Sequence, residues 1–357
     1  MAHGSRLTAH GSRLTAISDL SSSNNSPQPK FVIIGNPLGG TLAAAKAYGA
    51  ILSKPINNIW LRRLLRVHQS QRLNSIVELP FKCVWDKALF DTSRLDPNDE
   101  IYFLFYENAK LSGSPNYFNH LRKKYKNCKL IYCLANPIEG WNPKIWERWQ
   151  YLLGFYDKVI TFNRSDAEKW GLSFCDYWPC LLPEKTFQPE NASDVFFVGI
   201  AKDRLSKIIS VYERLTDAGL KCSFYITGVP KAQQKYSGDI HYCENITDDF
   251  MTYDEVLQHD KNTKCVLEIL PFGQKYSSLR VCEALWYHKK LLTTNLNAPQ
   301  EWFYNSEIVQ CFSNADEIDI DFIRQPFTAE DEQRIFSHMN IGDFSVFAER
   351  IINSFKS

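Results

Sequence analysis

The sequence predicts an α/β protein of two doubly wound, Rossmann-like halves that face each other across a cleft. Three observations carry this reading. From residue 30 onward, short apolar runs alternate with longer amphipathic ones, the rhythm of an open parallel sheet with helices on both faces. The rhythm stops at residues 181–193, a polar segment holding Pro183 and Pro189, and then restarts. The chain has 357 residues, 44% apolar and 23% charged, which is globular in proportion and enough for two cores at about 150 residues per domain. The expected division is 1–29 as tag and linker, 30–182 as the first domain, 194–337 as the second, and 338–357 as a C-terminal helix.

The elements follow in order. Residues 2–8 return unchanged as 9–15, a duplicate that fits a tag rather than a heptad, and 21–29 is a polar linker. In the first domain the runs 31–34, 101–106, 130–134 and 158–162 read as buried strands. Residues 41–53, 116–124 and 165–170 read as helices, the last capped by Ser165. In the second domain 195–199, 222–227, 240–243, 265–269 and 290–294 read as strands, with helices over 204–218, 253–259 and 278–287. The first of these helices places Leu205, Ile208, Ile209, Tyr212 and Leu215 on one apolar stripe. A final helix over 343–355 is expected to return to the first domain. Ligands of open α/β sheets bind beyond the carboxyl ends of the strands, so both halves are expected to present such ends to the cleft.

Composition excludes several classes. Lys plus Arg number 41 against 40 Asp plus Glu, a net charge of +1, so the basic excess of a nucleic-acid binder is missing. The ten cysteines contain no C-x2-C pair to begin a zinc site. Several stand inside apolar runs, as Cys133, Cys222 and Cys265 do, which favours reduced thiols and a cytoplasmic setting. No run approaches the roughly 18 apolar residues of a spanning helix.

The loop 35–41, Gly-Asn-Pro-Leu-Gly-Gly-Thr, fits neither nucleotide fingerprint. A dinucleotide motif needs Gly where Pro37 stands, which disfavours a dehydrogenase, and a Walker loop needs Lys where Thr41 stands. What remains is a glycine-rich turn into a helix, suited to a polar ligand or simply to tight packing. In the second half, Gly199 is followed by Lys202 and Arg204, two cations able to meet a diphosphate or to remain as solvated surface charge. Further on, 273–285 reads Gly-Gln-Lys-Tyr-Ser-Ser-Leu-Arg-Val-Cys-Glu-Ala-Leu, a Gly/Ser loop entering a helix that carries Glu283.

This loop and helix, with the apolar strand after them, resemble the donor-binding element of GT-B glycosyltransferases. Residues 156–171 and 194–204 resemble the close of the first domain and the opening of the second in bacterial members acting on surface polysaccharides. The resemblance covers about residues 155–295. It implies a GT-B fold and transfer of a sugar from a nucleotide-sugar donor to a glycan or lipid-linked acceptor, with no further cofactor and no metal. The donor side it implies is Gly199, Lys202, Arg204, Tyr253, Ser277, Ser278, Leu279 and Glu283, the last toward the ribose, with Gly39 and Gly40 on the acceptor side. The family's commonest retaining type carries a glutamate where Lys275 stands, so that form of the mechanism is not implied.

For an inverting transfer, Glu107 at the carboxyl end of the strand 101–106 is the candidate base. Asp319-Ile320-Asp321 has the form of a metal-binding pair, but it falls after both halves are complete and reads as a solvated acidic loop. Residues 60–72 interleave Arg62, Arg63, Arg66, His68 and Arg72 with Leu and Val. A helix touching anionic lipid at the inner face of a membrane has this pattern, as does a helix docked on its own sheet with cations outward. The competing class is a non-catalytic, two-lobed sugar- or nucleotide-binding protein.

Overall fold

The computed structural model describes residues 28–356 except 36, 38, 71–72, 74–75, 77–78, 107–108, 110, 113, 135–137, 139–142, 176, 178, 183–192, 246–250, 338 and 340. The chain forms two six-stranded, wholly parallel sheets with helices on their faces. The first sheet contains β1 (Lys30–Ile34), β2 (Ile51–Leu52), β3 (Glu100–Tyr106), β4 (Asn127–Leu134), β5 (Lys158–Thr161) and β6 (Ser173–Phe174), in the order β2-β1-β3-β4-β5-β6. Its helices are α1 (Gly39–Tyr48), α2 (Ile59–Gln69), α3 (Cys83–Leu89), α4 (Pro115–Lys124), α5 (Pro143–Leu153) and α6 (Arg164–Trp170). The second sheet contains β7 (Ser193–Ile200), β8 (Cys222–Thr227), β9 (His241–Cys243), β10 (Thr263–Glu268), β11 (Lys290–Thr293) and β12 (Val309–Cys311), in the order β12-β11-β10-β7-β8-β9. Around it lie α7 (Leu205–Asp217), α8 (Tyr253–Lys261), α9 (Arg280–Trp286), α10 (Ile320–Arg324) and α11 (Ala329–Phe336), and α12 (Phe344–Asn353) follows.

Strand β3 shows why both faces must be covered. Ile101, Phe103 and Phe105 enter one core with Leu65, Trp85, Phe118 and Leu121 from α2, α3 and α4. Tyr102, Leu104 and Tyr106, one residue out of phase, enter another with Ala44 and Ala45 of α1. The continuous apolar run is thus the signature of a strand buried on both faces. In the second sheet Val195 and Phe197 pack on Ile208, Ile209, Tyr212 and Leu215 of α7. Val266 and Leu291 on the opposite face meet Val281, Leu285, Ile335 and Phe336.

Helix α12 belongs to the first core. Its Phe344, Phe347, Ala348 and Ile351 are buried with Phe31, Ile33 and Tyr102, and the Phe344 ring meets Phe31 edge-on at 5.7 Å. Each of the buried Phe and Ile side chains contributes about 1.5–3 kcal/mol relative to exposure.

Three local departures from the sequence reading have plain causes. The helix expected over 41–53 ends at Tyr48, because Gly49 takes a left-handed φ of 91°, and Ile51 and Leu52 pair with β1 as an edge strand. The cap of α6 is Asn163, whose side chain accepts from the Ser165 amide at 3.1 Å; Ser165 itself lies inside the helix. The helix expected over 278–287 starts at Arg280, and the Ser278 amide just before it donates to the Glu268 carboxylate.

Candidate functional site

Each sheet has one point at which its order reverses, and there the loops leave in opposite directions and open a crevice beyond the carboxyl ends. In the first sheet this point lies between β1 and β3; in the second, between β7 and β10. The two carboxyl edges approach one another. Phe162, just past β5, meets the Tyr276 ring of the second domain edge-on with centroids 5.1 Å apart.

At the second switch point the loops after β7, β10 and β11 are stitched into one rim. Arg204 donates to the Ile200 carbonyl at 2.9 and 3.1 Å and also to the Ile269 carbonyl. Asp203 accepts from the Phe272 amide at 2.9 Å, and Thr294 accepts from the Leu270 amide at 2.8 Å. Asn295 donates to Ser277 at 2.9 Å. Beneath the rim Glu268 is 2% exposed and accepts from the Ser278 amide at 2.5 Å and the Thr293 hydroxyl at 2.6 Å. Burial raises its pKa, and those donors offset only part of the rise.

The expected donor residues divide into two groups. Lys202 is exposed at the crest of the rim, with a left-handed φ of 45°. Gly199 lies directly under Arg204: a Cβ there would stand 2.8 Å from the guanidinium. Arg204 itself is partly buried and spent on strand carbonyls, and burial lowers its pKa. It holds β7 against β10. Ser277 and Ser278 sit in the rim, and Leu279 is half-buried beside them.

Glu283 and Tyr253 lie deeper. Glu283 is 0% exposed; its Oε2 is 2.5 Å from Arg280 and its Oε1 accepts from the Tyr253 hydroxyl at 2.9 Å. Asp260, also fully buried, faces the same guanidinium at 3.4 Å. Burial, and then the Glu283 charge, push the Asp260 pKa well up. No face of Glu283 is open to a ligand in this arrangement.

On the first domain, Gly40 is buried against the segment leaving β6. A Cβ at Gly40 would run into Cys180 Sγ, with Leu182 Cδ2 at 3.3 Å, and the Leu181 amide donates to the Gly40 carbonyl at 2.9 Å. Gly39 is the first residue of α1. The neighbouring Gly35, at φ 109°, touches Ala109: a Cβ there would lie 3.0 Å from its backbone. Residue 107 is outside the described residues. Of the acidic pair, Asp319 caps α10 by accepting from the Asp321 amide at 2.9 Å, and Asp321 faces Arg324 at 3.7 Å. Among the described residues no group of three or more His, Cys, Asp or Glu side chains is placed to hold a metal ion.

Sequence reasoning missed Glu268, Asp203, Asp260 and Arg280. Glu268 left a signal, a lone carboxylate within the apolar run 265–269. Asp260 left none, because an aspartate on an amphipathic helix reads as solvated.

No family model matches the chain, and no curated protein matches it. Solved structures do resemble it. The glycotransferase of kitacinnamycin is 11% identical with a TM-score of 0.37, over 91% of this chain and 99% of that one. LpCGTa in complex with UDP is 11% identical with a TM-score of 0.41, over 93% and 100%. A UDP-forming α,α-trehalose-phosphate synthase from Burkholderia xenovorans is 11% identical with a TM-score of 0.40, over 87% and 92%. Likeness at this level carries no argument about activity.

Proposed function

We propose that the protein is a glycosyltransferase that takes a sugar from a nucleotide-sugar donor, bound at the carboxyl edge of the second sheet, and passes it to an acceptor held by the first. The observation that carries this reading is the stitched rim at the β7–β10 switch point with Lys202 exposed on it. A diphosphate lying there meets Lys202 and the hydroxyls of Ser277 and Ser278. The glycosidic C–O bond breaks, its electron pair passes to the departing diphosphate, and fixed positive charge stabilises that group without a metal. Arg204, Glu268 and Glu283 act behind the rim as positioning residues. Glu107 is the proposed base that takes the acceptor hydroxyl's proton. A glycan or lipid-linked acceptor, as in surface polysaccharide synthesis, fits the sequence resemblance, and a lipid-linked one would be met at the inner face of a membrane through residues 60–72.

Calorimetric titration of nucleoside diphosphates, followed by nucleotide release from their sugars in excess EDTA, tests the proposal. Lys202→Ala is expected to weaken diphosphate binding by roughly 10- to 150-fold, the worth of one charge-assisted hydrogen bond at about 1.5–3 kcal/mol. Wild-type affinity in that variant removes the donor from this rim. Binding with no release across a broad acceptor panel would make the molecule a binding protein, and activity abolished by EDTA and restored by manganese would overturn the metal-free reading.

A further inference from the structure

Among the described residues of the first domain, large exposed apolar side chains gather around α2. The buried side of that helix is Leu65 and His68. Round from it, Ile59, Trp60, Leu64 and Val67 are 60%, 70%, 46% and 42% exposed. His68 meets the Trp85 ring at 5.2 Å, which ties α3 beside α2. Next to Trp85, Phe81 and Val84 also face solvent, and Phe81 has a left-handed φ of 64°, costly for a bulky side chain and unrewarded by packing. Soluble monomers rarely leave so many large apolar groups together without a use.

Charge identifies what covers them. Residues 50–77 contain Lys54, Arg62, Arg63, Arg66 and Arg72 and no Asp or Glu, in a chain whose net charge is +1. Arg62, Arg63 and Arg66 are exposed on α2, and the Arg63 guanidinium lies over the Trp60 ring at 5.0 Å. A second copy would bring two such cationic faces together, which disfavours self-association. Nucleic acid would leave Leu64, Val67 and Val84 against phosphates. An anionic bilayer surface satisfies both halves of the pattern, with apolar side chains sinking to the acyl boundary and guanidiniums remaining among the headgroups. Trp60 suits that boundary, where indole rings gather.

We infer that the α2 surface, with Phe81 and Val84 beside it, docks the protein in the plane of an anionic phospholipid membrane. The surface is independent of the transferase reading and is tested without donor or acceptor.

The test is co-sedimentation of the full chain with vesicles of phosphatidylcholine alone or mixed with phosphatidylglycerol, together with tryptophan quenching by brominated lipids, which needs no variant. Binding and quenching are expected with the mixed vesicles and not with phosphatidylcholine alone, and both should weaken with salt. Arg63→Ser/Arg66→Ser should lose roughly 30-fold in vesicle affinity, at about 1 kcal/mol per cation near the surface. Trp60→Ser and Leu64→Ser should bind less while melting as the wild type does, since both side chains are exposed. Equal binding to both vesicle types, wild-type binding by all these variants, or a dimer in solution that Leu64→Ser dissolves would each overturn the inference.

Discussion

Replacing Glu283 separates a ligand-facing carboxylate from one that holds the rim in place. Its Oε2 lies 2.5 Å from Arg280, and at an effective dielectric of about 20 unit charges at that distance attract by roughly 6–7 kcal/mol. Much of this offsets the desolvation of both groups. What Glu283→Ala exposes is a guanidinium left without its closest partner, a change that costs about 3–5 kcal/mol in a buried pair. Arg280 retains 18% side-chain exposure and has Asp260 at 3.4 Å, so the lower end applies. Glu283→Gln keeps a hydrogen-bond acceptor and lets Asp260 ionise as the replacement partner, limiting its loss to about 1–2 kcal/mol. Urea unfolding near neutral pH, followed by circular dichroism and tryptophan fluorescence, measures both. Asp260→Asn should then cost more in the Glu283→Gln background than in the wild type, because the surviving carboxylate is the fallback. A loss below about 0.5 kcal/mol for Glu283→Ala, the range of an ordinary surface substitution, would refute the reasoning.

Three other outcomes are expected. Gly40→Ala drives a methyl into Cys180 Sγ and should cost about 1–3 kcal/mol by overpacking; most of that should vanish in a Cys180→Ala background, and equal losses in both would show that the contact is not the cause. The folded-state pKa of Asp260 is raised above the ordinary carboxylate value of about 3.9 by burial and by Glu283, so its contribution is fully present below that value and declines as pH rises above it. Thermal melts of the wild type and Asp260→Asn from about pH 4 to about pH 8 should therefore show the variant gaining on the wild type, and a flat or reversed difference would count against a raised Asp260 pKa. Glu107→Gln should lower turnover by about 10²–10⁴-fold with diphosphate affinity unchanged, and retention of more than about a tenth of wild-type turnover would discard it as the base.

Much of the architecture could be read from the sequence because doubly buried parallel strands are uninterrupted apolar runs. Residues 101–106 and 130–134 declare themselves in this way. The short edge strands β2, β6 and β12 do not, since two or three residues carry no period and their pairing is decided by the neighbouring strand. In the site, Lys202 and Ser277 were visible as loop residues beside strand ends. The buried side of the same site was hidden, because a carboxylate such as Asp260 or an arginine such as Arg280 is written like a solvated one. Only the approach of α8 to α9 shows that Asp260 and Arg280 face each other in the interior. Arg204 illustrates the reverse: it read as a ligand cation, and its guanidinium is bonded to strand carbonyls.

The return of α12 to the first core bears on how the chain acquires its structure during synthesis. Lys158 and Ser354, joined by a hydrogen bond, are 196 residues apart in sequence. The inner surface formed by Phe31, Ile33 and Tyr102, covered on one part by α1, thus stays incompletely covered on the ribosome while the whole second sheet is translated. Closing a loop of that length is slow relative to local events, and an open apolar sheet face is what chaperones recognise and what aggregates. A gene fragment ending near residue 182 would leave that face partly bare for good. Supplying residues 338–357 as a separate peptide would be the direct way to cover it.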